Sequence, residues 1–176
     1  MWLEILRNMI SKKPAIKFPK SIQTSPDGII EIFPPAEKMN RVFGKSLRIR
    51  QVDAGSCNAC EWECTALTNP IYDIQRFGID FVASPRHADV LLVTGPVSRQ
   101  MELALKKTYL AMPEPKLVIA CGDCAINGGV YKGSYATREG VSNVLPVDCR
   151  IHGCPPTPAI IVKGLLKLME SIVMVK

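Results

Sequence analysis

The chain has 176 residues, a net charge of +6, and 47% hydrophobic against 22% charged residues, which is enough apolar material for a packed core and too much for a disordered chain. Its longest apolar runs, such as Val90–Val93, fall far short of the roughly 20 residues that a bilayer-spanning helix needs. Glu4 and Arg7 break the only apolar N-terminal stretch, so neither a transmembrane helix nor a secretory signal is expected.

The charge is uneven. Residues 1–50 carry ten Lys and Arg against four acids, and residues 51–176 carry twelve of each. A basic stretch of this kind either meets nucleic acid, an anionic membrane surface or an acidic partner, or is a solvated extension. Residues 1–12 predict a short amphipathic helix, with Trp2, Leu3, Ile5, Leu6, Met9 and Ile10 on one side and Glu4, Arg7, Asn8 and Lys12 largely opposite. Residues 13–44 carry five prolines and one strand-like run, Ile29–Phe33. They read as an extended arm, since a compact domain seldom needs so long an irregular segment for itself.

Regular alternation begins at Leu47. Strands are predicted over Leu47–Val52, Asp80–Ser84, Asp89–Thr94 and Leu117–Ala120, with a weaker one at Val144–Val147. Helices are predicted over Cys57–Leu67 and Ser98–Leu110, and a last one begins at Pro158 behind Thr157 as N-cap. The chain thus divides into an arm, 1–46, and an α/β domain, 47–176. Short apolar strands alternating with helices imply a doubly wound parallel sheet. In such sheets the ligand sits beyond the carboxyl ends of the strands. The chemically interesting residues fall there: Cys57 and Cys60 after the first strand, Thr94-Gly95-Pro96 after the third, Cys121 to Gly129 after the fourth, and Cys154 after the last.

Several motifs fail. Gly44-Lys45-Ser46 ends like a phosphate-binding loop, but the glycine required five residues earlier is Met39. With His87 and His152 the only histidines, a multi-histidine metal site is impossible. Seven cysteines remain, an odd number without a secretory signal, which argues against a disulfide framework and for a metal or cluster site in a reducing compartment. They lie in Cys57-Asn58-Ala59-Cys60, Cys64, Cys121-Gly122-Asp123-Cys124, Cys149 and Gly153-Cys154-Pro155-Pro156. Thiolates suit zinc or iron–sulfur clusters. Zinc ribbons place their second pair about 15–20 residues after the first, whereas here about 60 residues intervene, so the tertiary fold must assemble the site. The spacing favours an iron–sulfur cluster over structural zinc or unliganded core cysteines. Gly128, Gly129 and Gly153 would let backbone approach the inorganic sulfides.

In order, C-x-x-C, C-A-x-x-G-G and G-C-P-P resemble the small subunit of [NiFe] hydrogenases and the 20 kDa cluster-bearing subunit of respiratory complex I. The resemblance extends over about residues 47–172 and includes Thr68-Asn69-Pro70-Ile71-Tyr72-Asp73, Arg76-Phe77-Gly78-Ile79, Ser84-Pro85-Arg86-His87-Ala88-Asp89 and Val93-Thr94-Gly95-Pro96-Val97. Complex I subunits of this kind carry adjacent cysteines at the first motif. Cys57 and Cys60 are instead spaced as in the hydrogenases, and about 20 residues after Pro156 leave room for one cluster only. That combination resembles the membrane-bound, energy-converting, formate hydrogenlyase-type small subunits.

The resemblance implies a flavodoxin-like fold and one proximal [4Fe-4S] cluster held by Cys57, Cys60, Cys124 and Cys154. Cys64, one helical turn beyond Cys60, is the strongest rival ligand; Cys64, Cys121 and Cys149 otherwise read as buried free thiols. His152 is either an ordinary loop histidine or a group that couples reduction to protonation. Glu61 and Glu63 are ordinary helix charges, touch the partner or guide protons; Thr94, Gly95 and Arg99 are turn residues or form the loop beside the cluster. The implied partners are a hydrogenase or complex I-like large subunit, a membrane-embedded subunit and a ferredoxin-like cluster subunit, with no nucleic acid. The implied place is the cytoplasmic face of the cell membrane, as a peripheral subunit without turnover of its own. Two rivals stand beside the hydrogenase reading: a complex I-like oxidoreductase subunit without nickel, using a quinone or sulfur-compound acceptor, and a zinc-stabilised module with a nucleic-acid-binding arm.

Overall fold

The computed structural model describes residues 30–32 and 46–173, and the helix expected at 1–12 lies outside them. Among the described residues the chain forms β1 (Ile30–Ile32), β2 (Leu47–Asp53), α1 (Ala59–Ala66), β3 (Ile79–Phe81), β4 (Val90–Thr94), α2 (Arg99–Ala111), β5 (Leu117–Cys121), α3 (Asp123–Asn127), β6 (Cys149–Ile151) and α4 (Pro158–Val173). The strands make one sheet in the order β1-β6-β5-β4-β2-β3. Strands β2 to β6 run parallel, and β1, from the run expected at Ile29–Phe33, adds an antiparallel edge to β6.

Every residue of β4 and β5 is buried, because helices cover both faces of the sheet. Leu47 and Ile49 of β2 pack in one layer with Cys64 and Leu67, beside Ile161, Leu165 and Leu168 of α4. Val52 faces the other layer, with Leu91, Val93, Val118 and Leu105 of α2. Strand β2 has β3 on one side and β4 on the other, so the winding reverses at β2. The crevice at that reversal is where an open α/β sheet takes its ligand.

Two expected elements are corrected. The last strand is not Val144–Val147. The Val144 and Leu145 amides donate back to the Val141 carbonyl in a turn, and Pro146 has no amide to give a ladder. Leu145 packs into the α2-side core without being a strand residue. The strand is Cys149–Ile151, with Cys149 and Ile151 buried and Arg150 between them paired to Glu31 of β1 at 3.2 Å. Strand β3 is Ile79–Phe81 rather than Asp80–Ser84, because the Ser84 hydroxyl accepts the Arg86 amide and opens a 3-10 turn at Pro85. Helix α1 begins at Ala59 rather than Cys57, after Asn58 at φ 71°. Helix α4 begins at Pro158, with the Ile161 amide bonded to the Thr157 carbonyl.

Candidate metal centre

The parallel register places Asp53 opposite Thr94, Thr94 opposite Cys121, and Cys121 opposite Ile151. Four strands therefore end in one row, and the next residues build the site. Asp53 turns the chain out of β2: its Oδ1 accepts the Gly55 and Ser56 amides, each at 2.8 Å. Ser56 Oγ accepts the Asn58 amide at 3.0 Å. Cys57 is left exposed on this loop, and Cys60 is buried in the first turn of α1.

The loops after β5 and β6 are laced together. The Gly122 amide donates to the Ile151 carbonyl at 2.8 Å, and the Asp123 amide to the Gly153 carbonyl at 2.9 Å. Gly153 returns its own amide to Asp123 Oδ1 at 3.1 Å. Cys124, buried in α3, and Cys154, exposed after β6, are thus held on neighbouring loops.

The segments after β2, β5 and β6 bring the four thiols expected as ligands to the carboxyl end of the sheet. Cys60 lies within electrostatic reach of Cys64, Cys124 and Cys57, and Cys124 within reach of Cys154 and Cys57. Among the described residues, no three Cys, His, Asp or Glu side chains stand close enough to hold a single metal ion. Burial, then the charge of Glu61, pushes the Cys60 thiol up to about 12. Burial also raises Cys124, opposed by the Val130 amide, which donates to its sulfur. A buried thiol of this kind keeps its proton unless a positive centre stands beside it. An amide aimed at a cysteine sulfur is also the contact that tunes such groups.

Two glycines make room for sulfur. A Cβ on Gly122, at φ +88°, would stand 2.6 Å from Cys60 Sγ. A Cβ on Gly129 would stand 2.9 Å from Cys124 Sγ. The donor set, its place at the winding reversal and these approaches fit an iron–sulfur group.

The remaining cysteines lie in the core beneath. Cys64 and Cys121 are hydrogen-bonded to each other, and that bond, with complete burial, pushes the Cys121 thiol well above its ordinary value. Cys149 is buried in the same layer. His152 is half-buried, with Nδ1 3.5 Å from Asp123 Oδ1 and Nε2 3.9 Å from Glu31 Oε1. Sequence reasoning missed Gly122 as the spacer against Cys60 and Asp123 as the tie between the Cys124 and Cys154 segments. No local pattern signals either, because both depend on residues about 30 or 60 positions away.

Residues 57–168 match the family model of the NADH ubiquinone oxidoreductase 20 kDa subunit. The chain belongs to this family. The family carries an iron–sulfur cluster, and this chain has cysteines within the matched residues. Among its relatives, a probable membrane-bound hydrogenase subunit of Pyrococcus furiosus is 42% identical over 75% of this chain and 79% of its own length. Formate hydrogenlyase subunit 7 of Escherichia coli is 43% identical over 72% of this chain, which spans only 51% of that protein. A chain in the structure of the membrane-bound sulfane sulfur reductase, an archaeal respiratory membrane complex, superposes with a TM-score of 0.65. It is 40% identical, over 73% of this chain and 71% of that one.

Proposed function

We propose that this chain is the electron-transfer subunit of a membrane-bound energy-converting [NiFe] hydrogenase, with one [4Fe-4S] cluster on Cys57, Cys60, Cys124 and Cys154. The observation that carries the reading is the place of these four thiols, on the segments after β2, β5 and β6 at the carboxyl end of the sheet, with Gly122 leaving room for the Cys60 sulfur and Gly129 for the Cys124 sulfur. When bound, the cluster would pass single electrons. The chain's own part is to hold the thiols, bring the Val130 amide to Cys124 and keep side-chain carbon away from the sulfurs at Gly122 and Gly129.

Cys57 and Cys154 are exposed, and so are Trp62, two residues beyond Cys60, and Val130, beside Cys124. Apolar side chains exposed around a ligand set support coverage by a partner, here the large subunit that would hold nickel and iron. Glu63, half-buried on α1, belongs to the same stretch. Among the described residues no helix is long and apolar enough to cross a membrane. We assign attachment to the cytoplasmic membrane face as a peripheral subunit, with membrane-embedded and ferredoxin-like subunits as further neighbours. The basic excess of residues 1–50 suits an anionic surface. Likeness to the sulfane sulfur reductase supports a second reading, the equivalent subunit of a complex I-like oxidoreductase without nickel.

The test is metal and acid-labile sulfide analysis of the anaerobically purified complex, with EPR after dithionite reduction. About four iron assigned to this chain, with nickel in the complex, is the expected result. Iron and sulfide without nickel would favour the second reading, and zinc without sulfide would overturn both.

A further inference from the structure

We propose that Glu61 is a positioning residue that locks the Cys57–Cys60 loop to strand β4 and holds the cluster's reduction potential low. The inference rests on the reading that these cysteines carry a cluster.

Glu61 stands in the first turn of α1, where an acid ordinarily does no more than favour the helix N-terminus. Its carboxylate does something else. Oε2 accepts the Ser56 hydroxyl at 2.8 Å, and Oε1 accepts the Thr94 hydroxyl. Ser56 belongs to the loop after β2, and Thr94 is the fully buried last residue of β4. The side chain therefore spans the winding reversal. It fastens the start of the ligand loop to the neighbouring strand, while Ser56 Oγ also takes the Asn58 amide. Cys57 and Cys60 lie inside this bracket.

The charge is left standing. Both carboxylate oxygens are met by neutral hydroxyls, and no ion pair with Glu61 forms among the described residues. Glu61 follows Cys60 directly in the first turn of α1, so its charge sits one residue from that thiol. A fixed anion beside a ligand thiolate opposes the arrival of an electron, since reduction adds negative charge where water screens little. Net charge and hydrogen bonding around the sulfurs are the levers that set such potentials. The two hydroxyls orient the carboxylate and soften its field without cancelling it.

The experiment is an EPR-monitored redox titration of the assembled complex, in wild type, Glu61→Gln and Thr94→Val. Glu61→Gln keeps the side-chain length and removes the charge, so the midpoint should shift upward at unchanged iron and sulfide content. Thr94→Val removes one hydroxyl and keeps the charge, so the midpoint should shift downward. Opposite signs are the signature, because general loosening of the loop would move both variants alike. Should Glu61→Gln fail to load iron, Thr94→Ser takes its place: it keeps the hydroxyl that Glu61 accepts, so its midpoint should stay at the wild-type value while Thr94→Val shifts downward. Unmoved midpoints in Glu61→Gln and Thr94→Val, or shifts of these two in one direction, would overturn the proposal. A midpoint in Thr94→Ser that moves with Thr94→Val would do the same. Wild-type complex without iron and sulfide on this chain would instead overturn the cluster reading, and the two failures are told apart by the wild-type analysis.

Discussion

Gly122 lies against Cys60: a Cβ at this glycine would stand 2.6 Å from the Cys60 sulfur, closer than such atoms approach. The contact joins the loop after β5 to the first turn of α1, across some 60 residues of sequence. Gly122→Ala adds that carbon at φ +88°, where an L side chain is strained as well. The expected result is a loss of about 1–3 kcal/mol of stability, the usual cost of overpacking, and loss of most bound iron. Iron per chain and thermal unfolding of the purified complex check both.

The four proposed ligands and the core cysteine Cys149 should behave differently. Serine at Cys57, Cys60, Cys124 or Cys154 should lower iron and sulfide sharply in each single variant. Cys149→Ala should keep both near wild type, because Cys149 is buried in the core layer with Ile151 and Ile161. Its cost should be about 1–2 kcal/mol, as for other small cavities. Full iron content in Cys154→Ser, or iron lost in Cys149→Ala, would count against the ligand assignment.

Alkaline pH should weaken the fold through Cys149. Burial raises its thiol from an ordinary value near 9 to about 12, partly opposed by Lys167. Above pH 9 the unfolded chain releases this proton and the folded chain keeps it, so the folded state binds more protons and stability falls as pH rises. The contribution is complete below pH 9 and is lost progressively towards 12, at about 1.4 kcal/mol per pH unit. Denaturant unfolding of the chain at pH 8, 9 and 10 should show this fall, and the slope should be shallower in Cys149→Ala.

The edge strand β1 should be held locally rather than globally. Glu31 meets Arg150 at 3.2 Å and approaches His152 at 3.9 Å, and both pairs are partly exposed. Such pairs are worth about 0–1 kcal/mol. Glu31→Ala should therefore leave the unfolding midpoint nearly unchanged and speed amide exchange at Ile30–Ile32. Unchanged exchange there would mean that the ladder to β6 alone holds the strand.

The apolar runs of β4 and β5 were readable at once, because a strand covered on both faces needs no polar alternation and leaves an unbroken hydrophobic word. The ends of helices were readable where a cap is local, as at Ser98, whose hydroxyl accepts the Met101 amide at 3.3 Å. Strand β6 was not. Val144–Val147 is the more apolar stretch, but Pro146 and the turn at Val141 leave it without a ladder, and Cys149–Ile151 gains its partners only from β5 and β1.

The sequence by itself determined the available chemistry: cysteine thiols, their order along the chain, and their positions just beyond strands, since these depend on residue type and local period. Only the tertiary structure decided their company. That Gly122 faces Cys60, that Asp123 ties the Cys124 and Cys154 loops, and that Glu61 reaches Thr94 are contacts between distant segments. Parallel pairing creates them by bringing Asp53, Thr94, Cys121 and Ile151 into one row. A register is a relation among strands, and no single stretch of chain carries it.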